Sequence, residues 1–234
     1  MVVTLIGTGN VGTHLLRALQ SAGHETVQLQ GRTFRCDDVR GEVVIVCVKD
    51  DTIAQVAERL KDTKALVVHT SGSVPLTALP CRRRGVLYPM QTFSKTREVN
   101  FCEVPVFLEA ENAEDMKLLV RLASTLTRHV QQIDSDCRRR LHLAAVLACN
   151  FVNHCYDMAA EVLHDCDLPF STLLPLIDET ARKVHQLQPR EAQTGPAVRF
   201  DQQVILRQEV MLAGREREIY HLMSENIHDY HDKL

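Results

Sequence analysis

The sequence lacks any apolar run long enough to cross a membrane. Its longest such stretches, near Val43 and Leu143, fall far short of the roughly 18 to 20 residues that a spanning helix needs. It opens on the strand-like segment Val2 to Ile6 instead of a charged and then apolar leader, so no signal peptide is expected. A formal net charge of -3 shows no excess of either sign that would recruit nucleic acid or an anionic membrane. The local runs Arg82 to Arg84 and Arg138 to Arg140 read as solvated surface. None of the eight cysteines forms a CxxC pair. Several fall in apolar segments, Cys47 in a strand and Cys149 in a helix, so buried, reduced thiols in a reducing cytoplasm are expected. The histidines are scattered, and His154 beside Cys155 makes no tetrahedral set, so no metal site is expected. Internal repeats and low-complexity tracts are absent too.

What is present begins at residue 7. Gly7-Thr8-Gly9-Asn10-Val11-Gly12 follows an apolar strand and precedes a helical stretch, the context in which GxGxxG signals a dinucleotide-binding turn. Gly7 permits the tight turn, Gly9 lets a pyrophosphate approach the backbone, and Gly12 lets the helix pack on the strand. The helix N-terminus adds partial positive charge. Leu15, Leu16, Leu19 and Ala22 keep helical spacing, and Gly23 is placed to end that helix.

Further strands are expected over 25–30, 42–48, 65–69, 85–87, 104–108 and 129–133, and helices over 51–60 and 112–126. This alternation predicts an α/β, Rossmann-like, doubly wound parallel sheet with right-handed crossovers over residues 1–133. From Asp134 only helical patterns remain, which predicts an all-α C-terminal domain over 134–234. Its first helix is expected from about Ser135 to Asp165, with Pro169 marking the break before the next. Only ten residues separate Arg32 from Val43, too few for a helix and a third strand. The adenine side of the fold is therefore either reduced to a loop or covered by another segment.

The second strand ends on Gln30, where NAD sites usually carry an acid, and Arg32 follows with a guanidinium suited to a 2′-phosphate. NADP is the favoured cofactor. Thr8, Asn10, Val11 and Thr33 complete the candidate cofactor contacts of the first two turns. Val48, Lys49 and Asp50 after the third strand, and Thr70 and Ser71 after the fourth, complete those of the later ones. No Gly-x-Ser-x-Gly elbow makes Ser71 a nucleophile; its hydroxyl is a candidate for orienting substrate or carboxamide, as is Gln91 in the segment Tyr88 to Phe93. On the first C-terminal helix, His142, Asn150, Asn153, His154 and Asp157 fall within roughly 120° of arc at 100° per residue. His142 is the candidate proton donor, since an imidazole ordinarily titrates near neutral pH, and Asn150 the candidate for orienting substrate.

Together GTGNVG at 7–12, Arg32-Thr33, HTSGS at 69–73, YPMQTFS at 88–94, HLAAVLACNFVNH at 142–154 and QTGPAVRFD at 193–201 resemble a bacterial family. It is the Rossmann-like oxidoreductase family with a C-terminal helical domain of unknown function, related to the NADP-dependent deazaflavin reductases. The chain is more distantly similar to pyrroline-5-carboxylate reductase, ketopantoate reductase and the β-hydroxyacid dehydrogenases. That resemblance implies a homodimer formed through the helical domain and a small-molecule substrate in the cleft between domains. The β-hydroxyacid dehydrogenases use a helix lysine, and none stands between Arg138 and Asp165 here, which argues against a hydroxyacid substrate. Two functions remain open: a reductase delivering hydride to a carbonyl or imine, and a non-catalytic NADP-binding module that senses redox state.

Overall fold

In a computed structural model, which describes residues 1–232, seven strands form one sheet. They are β1 (Val2–Ile6), β2 (Glu25–Leu29), β3 (Val43–Val46), β4 (Leu66–His69), β5 (Arg84–Pro89), β6 (Val106–Ala110) and β7 (Val130–Gln132), in the order β2-β1-β3-β4-β5-β6-β7. The first five run parallel. β6 pairs antiparallel with β5, a departure from the all-parallel expectation, and β7 runs parallel to β6. The reversal follows from the connection after Pro89, which carries no α-helical crossover and only a short 3-10 turn, Phe101–Glu103, so the chain returns beside β5 in the opposite sense.

Helices α1 (Asn10–Ser21) and α3 (Ala113–Ala123) supply Leu15, Leu19, Leu118, Leu119 and Leu122 to one face of the sheet. Alternate strand residues Val3, Leu5, Val43, Ile45, Leu66 and Val68 meet them there. On the other face Ile6, Val44, Val46 and Val67 pack against Ile53, Val56 and Ala57 of α2 (Ile53–Glu58). Burial on both faces explains why β3 and β4 read as unbroken apolar runs.

The short connection from Arg32 to Val43 is a loop with one 3-10 turn, Cys36–Asp38. It passes beneath β1, where Thr4 Oγ1 accepts the Arg40 N–H and donates to the Arg40 carbonyl. Gly41 (φ 84°) is required there, since a Cβ would run into the Val2 carbonyl.

Beyond the sheet come α4 (Ser135–Ala145), a π-helical turn (Val146–Phe151), α5 (Val152–His164), α6 (Leu174–Lys183), α7 (Pro189–Ala192), α8 (Gln202–Glu209) and α9 (Gly214–Asp232). The expected single helix from Ser135 is thus interrupted by the π turn. The chain divides into two compact units after Phe151, so α4 and the π turn belong with the sheet, although secondary structure changes character near residue 134. The bond holding α4 in its unit is legible: Arg138 is fully buried, pairs with Glu109 on β6, and donates to the Val74 carbonyl at 2.5 Å.

The thiol expectation needs correction. All eight cysteines are free, but only Cys47 and Cys81 are buried. Cys149 lies in the π turn, none of whose residues is buried in the single chain, with Leu147 and Phe151 exposed beside it.

Candidate active site

The strand order reverses direction between β1 and β3, and the register aligns Ile6 with Leu29 on one side and Val46 on the other, with Val46 opposite His69. The carboxyl ends of four strands therefore lie level, and the loops that follow them form one row at the topological switch point, where open α/β sheets bind ligands.

The glycine turn sits at the centre of that row. Gly7 has φ 122°, and a Cβ on it would strike the Cys47 carbonyl oxygen. A Cβ on Gly12 would lie 2.9 Å from the Gly7 carbonyl oxygen. Gly9 is different: its φ is an ordinary -72° and nothing lies within 4 Å of where its Cβ would be. Sterics inside the protein thus explain Gly7 and Gly12, whereas the space at Gly9 is open. As N-cap of the twelve-residue α1, Gly9 offers no capping side chain, and no acid occupies the first turn. The first N–H groups of α1 point into a site suited to an anion. These features fit a dinucleotide pyrophosphate.

Asn10 and the Tyr88 to Ser94 motif prove to be connected. Asn10 Nδ2 donates to the Phe93 carbonyl at 2.9 Å, His14 Nε2 lies 2.9 Å from the Ser94 carbonyl oxygen, and the His14 and Phe93 rings are 4.9 Å apart. Asn10 therefore pins one loop of the row to another. Gln91 is exposed, and its Oε1 accepts from Thr92 N at 2.8 Å, so its side chain closes its own turn.

On the second-strand side, a cavity of about 630 Å³ is lined by Thr8, Gln30, Arg32, Lys49, Asp51 and Arg59, among others. Arg32 and Thr33 are exposed, and Val48 packs against the bare Cα of Gly31. On the other side, Ser71 Oγ donates to Asp50 Oδ2 at 2.8 Å and accepts from the Ser73 and Val74 N–H groups, each at 3.0 Å. This hydroxyl organises its loop, and the Asp50 carboxylate is engaged with it. Thr70 is buried against the Cys47 thiol, whose pKa burial pushes up to about 12, so that thiol is inert.

His142 packs on that loop. A Cβ on Gly72 would sit 2.6 Å from the imidazole, which explains the glycine. The Tyr88 hydroxyl lies 3.1 Å from His142 Nδ1, and burial raises the Tyr88 pKa, so the phenol keeps its proton. Nearby His69 is fully buried, its Nδ1 accepting the Ser71 N–H at 3.2 Å, and burial next to Arg138 lowers its pKa to about 4. The structure thus brings His142, the Ser71-Gly72 loop and Tyr88 together. Asn150 is exposed in the π turn, and that turn invalidates the uniform 100° per residue behind the arc from His142 to Asp157.

Sequence reasoning missed Tyr88 as the partner of His142, Arg138 as the anchor of α4, and Arg59 in the lining of the cavity beside Arg32. Tyr88 heads a distinctive motif and was within reach. Arg138 lay in a triplet of arginines, and nothing local separates the buried member from its neighbours.

The row at the switch point defines a Rossmann-like dinucleotide fold. The family model described as Domain of unknown function (DUF2520) matches residues 104–227, and the chain belongs to that family. A solved structure named putative NADP oxidoreductase, from Bacteroides fragilis, is 42% identical with a TM-score of 0.90, over 97% of this chain and 98% of that one. A protein from Thermotoga maritima is 20% identical with a TM-score of 0.71, over 99% and 98% of the two chains. An imine reductase from Myxococcus stipitatus, in complex with NADP+, shares the fold at 13% identity and a TM-score of 0.69, over 100% and 93%. No curated protein matches the sequence.

Proposed function

We propose that the chain is an NADP-dependent oxidoreductase acting on a small carbonyl or imine compound. The observation that carries this reading is the open space at Gly9 beside an uncapped helix, flanked by Arg32 and with no acid at position 30. The 42% identical Bacteroides protein named an NADP oxidoreductase supports it. Gly7, Gly9 and Gly12 with the first N–H groups of α1 would hold the pyrophosphate, and Arg32 and Thr33 the 2′-phosphate. When bound, NADPH supplies a hydride to an electrophilic carbon. His142 would supply the proton that completes a C=O to CH–OH or C=N to CH–NH reduction, and Tyr88 would hold its imidazole against Gly72. Ser71 and Asp50 would keep the loop in place, and Asn150 would orient the substrate.

A second copy of the chain is the partner assigned to the helices, on which Leu176, Leu206, Val210, Met211 and Leu222 are exposed. Light scattering at micromolar concentration should give the mass of two chains; the mass of one overturns this part. Among the described residues no helix is long and apolar enough to cross a membrane, and eight unpaired thiols suit a reducing compartment such as the cytoplasm.

The test is NADPH consumption against a panel of cyclic imines and ketones. His142→Ala is expected to lower turnover about 100-fold or more and Tyr88→Phe by less. Parent rates in both His142→Ala and Asn150→Ala would overturn the assigned roles. NADPH binding without turnover of any substrate would favour the sensing module.

A further inference from the structure

The connection between β2 and β3 is too short for the helix that would wall the adenosine half of the cleft, and α2 stands in that place instead. Arg59, its C-cap, is held from two sides. The guanidinium carbon lies 3.9 Å from the centroid of the Phe34 ring, itself buried in the core under the loop. Nη1 donates to the Gly31 carbonyl at 3.0 Å and to the Arg32 carbonyl at 3.4 Å. Among the described residues Nε and Nη2 make no hydrogen bond within the protein, and the side chain lines the same cavity as Arg32, Thr8 and Lys49. Among the described residues Asp51 is the one carboxylate lining it.

We infer that Arg59 is a second arginine that reads the 2′-phosphate of the cofactor, so that preference for NADP over NAD is set by two guanidinium groups on separate elements. This rests on the cofactor reading above. Three features carry it. Stacking on Phe34 removes most of the rotamer freedom that makes a surface arginine a weak ligand, so little entropy is lost on binding. The two carbonyl bonds use one nitrogen and leave three N–H donors for an anion. They also fix the backbone of Arg32, so one side chain both positions the first arginine and adds a charge beside it. A positive cavity rimmed by Arg32, Lys49 and Arg59, with one opposing acid, favours the cofactor carrying the extra phosphate.

The experiment is calorimetric titration of the full chain with NADPH, NADH and 2′,5′-ADP, comparing parent, Arg59→Gln and Arg59→Lys. Arg59 is exposed, so both variants should fold, and melting temperature checks this. Arg59→Gln is expected to weaken NADPH and 2′,5′-ADP by about 10- to 100-fold while NADH changes less than about twofold. Arg59→Lys, which keeps charge but loses the fork, should fall between. Equal weakening of NADPH and NADH would show that Arg59 only shapes the turn, and overturns the inference, as does unchanged NADPH affinity. A parent protein that binds none of the three overturns the cofactor reading itself, which separates the two failures.

Discussion

The sheet with its flanking helices and the helical unit beginning at Val152 use similar apolar residues to opposite ends. In the first, Val3, Leu5, Leu19, Ile45, Leu66, Leu87 and Leu108 are fully buried, and two facing layers close the core within one chain. In the second, Leu176, Met211 and Leu222 are each more than 60% exposed, and Ala197 and Ile205 are the buried apolar side chains among the described residues. An amphipathic helix needs a surface to cover its apolar stripe. The sheet unit supplies that surface itself, whereas the helical unit leaves much of its apolar stripe uncovered in the single chain, which is what the proposed second copy would cover. The row of loops that fits a dinucleotide lies wholly in the self-sufficient unit.

The self-sufficiency of the sheet unit depends most on Arg138, whose buried pairing with Glu109 ties α4 to the sheet. Arg138→Leu leaves Glu109 without its counter-charge and should cost about 3–5 kcal/mol, read from urea denaturation at any protein concentration. Replacing both residues by leucine should recover much of that. A loss under about 1 kcal/mol for the single variant would mean that α4 is not anchored this way.

A somewhat smaller effect should appear with pH. His69 stays neutral in the folded chain down to about pH 4, whereas in the unfolded chain it takes up a proton below about 6.5. The unfolded state therefore binds more protons across that window, and stability falls as pH drops through it. The contribution is about 3 kcal/mol in total. His69→Gln should flatten stability between pH 6.5 and 4 relative to the parent. Parallel curves would contradict the assignment.

Most of the fold was legible because its signals are local. Strand periodicity, the glycine turn and the change to helical patterns after residue 133 each need only a few neighbouring residues. The antiparallel return of β6 was not legible, since nothing in Val106–Ala110 encodes its direction; the connection before it does. The π turn was hidden as well, because its sequence keeps the apolar content of an ordinary helix. Within the proposed site, the glycines, Arg32 and His142 are the residues the sequence offers. Arg59 and Tyr88 became visible only when folding brought α2 beside residues 31–34 and β5 beside α4. The polar hydroxyl of Ser71, which invited a role on substrate, is taken up by Asp50 and its own loop. Such local commitments depend on backbone geometry that composition does not reveal.

A turn at Gly9 built for a phosphate would not tolerate a carboxylate there, and Gly9→Asp provides the decisive test. The backbone there suits any residue, the new side chain meets open space, and aspartate is a better N-cap than glycine, so the variant should melt no lower than the parent. Its carboxylate would nevertheless occupy and repel the position of a pyrophosphate. Titration with NADPH should show affinity reduced about 100-fold or more at unchanged thermal stability. Parent-like NADPH binding by a stable Gly9→Asp protein would contradict the account.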